Sequence, residues 1–97
     1  MIIYKDLKKL KEDVTDLIQD SQYIIQWHHI KPLHPEIEKI DILSTLLYGK
    51  YAIDKHTDWR YISWSQLTIR KKLIRVVFEM HKNHGRKVVV ITAFEEE

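Results

Sequence analysis

The chain has 97 residues, room for one domain of ordinary size and not for two. Hydrophobic residues make up 44% and charged residues 31%, enough for a packed core under a solvated surface, while two Gly and two Pro exclude a low-complexity chain. The absence of cysteine rules out disulfides, thiol catalysis and Cys-based zinc sites, and a net charge of +2 does not by itself single out nucleic acid.

The opening segment, Met1 to Lys11, is broken by Lys5, Asp6, Lys8 and Lys9 and lacks the apolar stretch of a signal peptide. No apolar run approaches the ~20 residues of a transmembrane helix, so a cytoplasmic protein with no membrane partner is expected. Tyr4, Leu7, Leu10, Val14, Leu17 and Ile18 recur with a helical period and predict a helix over 4–20. Tyr23 to Trp27 is short and β-rich and predicts a strand, followed by a loop through Pro32 and Pro35 that carries His28, His29 and His34. A second helix is predicted over 35–48. Pro35 suits its first turn, Glu36 and Glu38 complement its dipole, and Gly49 stands where a left-handed C-terminal residue is wanted.

Beyond Gly49 the period changes to two. Strands are predicted over 50–54, 59–65, 73–80 and 88–94, with 66–71 left ambiguous and a turn at His81 to Gly85. The expected fold is α+β: two helices packed on a mainly antiparallel sheet of four to five strands, closing in a C-terminal β-hairpin. The Glu95 to Glu97 tail is expected to fray.

Charge is uneven along this chain. Between Arg70 and Lys87 seven cations (Arg70, Lys71, Lys72, Arg75, Lys82, Arg86, Lys87) face a single acid, Glu79, so the remainder is net acidic. Such asymmetry suits an anionic partner, although the same cations equally serve to solubilise a hairpin.

Alternation sorts the strands by face. Ile74, Val76 and Phe78 point one way and Arg75, Val77 and Glu79 the other, so helices covering the first set leave Arg75 and Glu79 outward, and Tyr61 is expected with them. An Arg, a Glu and a Tyr on one open sheet face suit a phosphodiester: the cation neutralises charge, and a Glu or His moves protons. The alternative is an ordinary cross-strand Arg–Glu pair on a solvated face. His28 and His29 are acid–base candidates. As strand neighbours they would face opposite sides, so one of the two would serve a given site. The His81-x-x-His84 pair lacks a nearby third ligand and is weak evidence for a metal, so no metal or cofactor is expected. Trp27, Trp59, Tyr61 and Trp64 either stack nucleobases or build the core.

From His28 to Phe94 the chain shows an early histidine, a helix ending in LLYGKY, an RYI strand and the closing IRVVFEM…KVVVITAF hairpin. This pattern resembles the BrnT and RelE-like toxin superfamily, in particular an uncharacterised small-domain branch, over about two-thirds of the chain. The resemblance implies a metal-independent endoribonuclease of a toxin–antitoxin module, with RNA as substrate, an antitoxin protein as partner and His28 or His29, Arg75 and Thr92 at the family's positions. The chain departs from the family in being only weakly basic and in lacking a clear Arg/Lys cluster with a C-terminal Tyr. The expected catalytic set is His28, His29, Arg75 and Glu79, and the expected RNA-binding set is Arg60, Tyr61, Arg70, Lys72, Arg86 and Thr92. A homodimer is compatible with the sequence. The competing expectation is a non-catalytic module that binds nucleic acid or protein through the basic hairpin.

Overall fold

The computed structural model describes residues 1–65 and 72–96. The first helix, α1 (Leu7–Gln19), starts after Asp6, whose carboxylate accepts the Lys8 N–H at 2.9 Å and satisfies one of the unpaired donors of the first turn. Leu10, Val14, Leu17 and Ile18 are buried along one stripe. The helix closes through Ser21 in the left-handed region (φ 58°), with Gln22 N–H donating to the Leu17 carbonyl and Ser21 N–H to that of Ile18.

Strand β1 (Tyr23–Ile25) is shorter than the sequence predicts. The Gln26 N–H still donates to Val90, but the Gln26 carbonyl then accepts from His29 and Ile30, and the chain coils into a one-turn helix, α2 (Trp27–Ile30). Helix α3 (Lys39–Tyr48) begins four residues later than expected. Ile37 N–H turns back to His34, and the helix is entered at Glu38, whose N–H donates to Asp41 Oδ2 at 2.9 Å. Gly49 is not left-handed (φ −82°, ψ 177°). A glycine is needed because a Cβ there would lie 2.5 Å from both the Thr45 and Trp64 carbonyl oxygens.

The sheet adds β2 (Lys50–Ile53), β3 (Arg60–Ser65), β4 (Ile74–Lys82) and β5 (Arg86–Glu95), in the order β1-β5-β4-β3-β2. All pairings are antiparallel except β1 with β5. The β4–β5 hairpin turns through His84 (φ 57°) and Gly85 (φ 105°), and Ile91 is left unpaired between the Val77–Thr92 and Phe78–Val90 pairs. Residues 66–71, ambiguous in sequence, lie outside the described residues.

One face of the sheet is covered. Ile74, Val76, Phe78 and Met80 of β4, with Val88, Val90 and Ala93 of β5, pack beneath α1 and α3, each of the side chains larger than Ala93 contributing ~1.5–3 kcal/mol of burial. The α+β architecture, with two main helices on one side and the hairpin at the C-terminal end, is the one the sequence predicts. Tyr61 is a correction. It pairs with Phe78, so it lies on the covered face, where it is fully buried and its hydroxyl accepts the Tyr4 N–H at 2.6 Å. Glu95 and Glu96 do not fray: Glu95 pairs with Ile74 in the β4–β5 ladder, the Glu96 N–H donates to the Leu73 carbonyl, and the Glu96 carboxylate accepts from Arg75 Nε and Nη2. Among the described residues no helix is long and apolar enough to cross a membrane.

Candidate functional site

The uncovered face of the sheet is set by register. Partners across antiparallel strands share a face, so three rows cross it. One is Lys50, Trp64, Arg75 and Phe94; the next is Ala52, Ile62, Val77 and Thr92; the third is Arg60, Glu79 and Val89. The first and third rows are four residues apart on β4, about 13 Å.

The third row carries the strongest polar cluster. Arg60 donates through Nε and Nη2 to Glu79 Oε2 at 3.1 and 2.9 Å, and His81 Nε2 lies 2.9 Å from Glu79 Oε1. Glu79 is buried while Arg60 and His81 are each a little over one-third exposed, at 37% and 39%. Burial alone would raise the Glu79 carboxyl, but the bonds from His81 and Arg60 and their charges outweigh it and hold the group below its ordinary range. An ionised Glu79 only accepts, so the Nε2 of His81 that meets it carries a proton, and Nδ1 is the ring nitrogen not bonded to Glu79.

The first row is built around Arg75, whose guanidinium lies 5.6 Å from the centre of the Trp64 ring and forms two 3.1 Å bonds to the Glu96 carboxylate. Phe94 flanks Arg75 on the other side, its ring 5.8 Å from that of His34 and tilted 37° to it. Aromatic, guanidinium and aromatic thus follow one another across three strands.

The sequence-derived candidates divide accordingly. Arg60, Arg75, Glu79 and Thr92 share the open face, with Arg60 and Glu79 in direct contact and Arg75 at the far end. His28 and His29 do not sit on opposite faces of a strand. Both are exposed on α2, their rings 4.2 Å apart, and neither is bonded to Glu79 or Arg75 among the described residues. Tyr61 is buried on the other side. Arg86 is committed to Asp13 on α1, Lys72 lies 3.9 Å from Glu95, and Arg70 falls outside the described residues. Of the basic stretch, Lys72, Arg75 and Arg86 thus face acids: Glu95, Glu96 and Asp13.

His81 was missed as a partner of Glu79. The signal was present, since residues two apart on a strand share a face, but the predicted strand stopped at Met80 and put His81 in the turn. His84 is in that turn, and among the described residues no group of three or more His, Asp or Glu side chains is placed to hold a metal ion. Comparison with family models, with curated proteins and with solved structures gives no match to this chain.

Proposed function

We propose that this chain is a metal-independent endoribonuclease of the RelE/BrnT-like kind, the toxin of a toxin–antitoxin module, acting on RNA laid across the uncovered sheet face. The observation that carries this reading is the Glu79 carboxylate held between the Arg60 guanidinium and the His81 imidazole. In this reading His81 Nδ1 takes the proton from a ribose 2′-hydroxyl, whose oxygen bonds to the adjacent phosphorus as the bond from phosphorus to the 5′-oxygen breaks, and the leaving 5′-oxygen takes up a proton from water. Glu79 holds the ring's tautomer and stabilises the imidazolium that forms, and Arg60 faces the charge developing on the phosphate. Trp64 and Phe94 stack bases one or two nucleotides away, with Arg75 between them for a phosphate. RNA incubated with the protein and a chelator tests it. Cleavage that His81→Ala lowers by ~10²–10⁴-fold supports the proposal. No cleavage, together with no growth arrest on expression, overturns it.

A second reading rests on the Trp64–Arg75–Phe94 row, which resembles a stacking platform more than a catalytic centre. As a non-catalytic RNA-binding module the chain would bind with a steep salt dependence and be indifferent to loss of His81.

A further inference from the structure

Strand β2 is the outer strand at one edge of the sheet, and that edge is complementary to itself. Asp54 N–H donates inward to Arg60, and the pairs Ala52–Ile62 and Lys50–Trp64 continue the same alternation. The N–H and C=O groups of Tyr51 and Ile53 therefore point away from the sheet. Two copies of β2, antiparallel about a two-fold axis through Ala52, bring Tyr51 opposite Ile53 of the second copy with all of these groups paired. The same register sets Lys50 opposite Asp54 twice, once on each side of the axis, and Ala52 against Ala52, where nothing bulky intervenes.

Beside the edge runs a groove of about 890 Å³ between α1 and β2, with Leu7, Tyr51 and Trp64 among its apolar lining and Lys8, Glu12 and Lys50 among its polar lining. Ile53 shares a face with Tyr51 and is 40% exposed, an unusual load for an edge strand. In the paired register it projects toward the groove side of the second copy, beside Tyr51. One oxygen of Asp54 already accepts the His56 N–H, leaving the other for Lys50 of the second copy. The opposite edge, β1, is three residues long and carries no charge to set a register.

We propose that the chain forms a homodimer by β2–β2 pairing, with Lys50 and Asp54 of each copy bridging to the other. The axis is perpendicular to the sheet, so both uncovered faces lie on the same side, and the Trp64–Lys50 row runs on into Asp54 and Arg60 of the second copy. The interface does not involve Glu79 or His81 and stands whether or not the chain cleaves RNA.

Sedimentation equilibrium on the full chain tests it. The wild type is expected at about twice 11.8 kDa. Lys50→Asp and Asp54→Lys each replace two attractions by two repulsions and should weaken association about tenfold or more, with the circular dichroism of each variant unchanged. Mixed in equal amounts, the two variants should recover the dimer, because every cross-strand pair is then of opposite charge. A wild type that stays at the monomer mass up to ~1 mM, substitutions without effect on its association, or a mixture no better than either variant overturns the proposal.

Discussion

Arg86, the first residue of β5, donates through Nη1 to Asp13 Oδ2 on α1 at 2.8 Å, joining residues 73 positions apart. The same carboxylate accepts the Tyr4 hydroxyl at 2.6 Å and faces Lys9 at 3.1 Å, so one buried acid fastens the N-terminal segment, the first helix and the closing hairpin. Arg86, a nucleic-acid contact in the sequence reading, has this structural job.

Asp13→Ala should cost about 2–3 kcal/mol in urea unfolding, because it strands the Tyr4 hydroxyl along with two cations. Arg86→Ala should cost less than half as much, since that side chain is half-exposed and water replaces its bond. Equal losses would show that the ion pair, and not the buried Tyr4–Asp13 bond, dominates.

Stability should fall at both ends of the pH range. Tyr4 is pushed up to about 12 by burial and by the Asp13 carboxylate, from an ordinary 10.0. A group raised in the folded state stabilises fully below its unfolded value, so this contribution is lost as pH rises from about 10 to 12, and Tyr4→Phe should flatten that limb. Asp13 and Glu79 are held low, by the bonds that overcome their burial, against ordinary values of 3.8 and 4.5. Their contribution is present above those values and lost as pH falls through the lower folded ones. Glu79→Gln should flatten the acid limb, read as unfolding free energy against pH.

Two backbone positions should respond in opposite directions. Ser21→Gly relieves a left-handed residue at the end of α1 and should raise stability by up to about 1 kcal/mol. Gly49→Ala forces a Cβ to 2.5 Å from two carbonyl oxygens and should cost about 2–3 kcal/mol, visible as a lower urea midpoint at unchanged slope.

The strands and the hairpin were legible because alternation within β4 separates Ile74, Val76 and Phe78 from Arg75 and Glu79 without ambiguity. The phase of β3 was not. Its buried face carries Tyr61, Ser63 and Ser65 and its open face Arg60, Ile62 and Trp64, so the usual rule of apolar inside and polar outside points the wrong way. Ser63 is tolerated inside because its hydroxyl donates to the Thr45 carbonyl at 3.2 Å. Nor does local pattern carry the parallel pairing of β1 with β5 or the bond from Arg86 to Asp13, which depend on how distant segments meet. For the candidate site, Arg60, Arg75 and Glu79 were legible as residues, whereas their arrangement depended on the β3–β4 register and His81 on where β4 ends.

The placement of Tyr61 has its own test. Tyr61→Phe leaves the buried Tyr4 N–H without its acceptor and should cost about 1–3 kcal/mol, while any binding of RNA stays unchanged. A loss of RNA affinity at unchanged stability would put Tyr61 back on the outer face.

The open-face site is tested most directly by cleavage of a structured RNA in the presence of chelator, comparing the wild type with His81→Ala and Glu79→Gln after both are shown to be folded. Metal-independent cleavage by the wild type is expected, with a ~10²–10⁴-fold loss in His81→Ala and a smaller loss in Glu79→Gln. Cleavage that survives both substitutions, or a wild type that leaves the RNA intact, contradicts it.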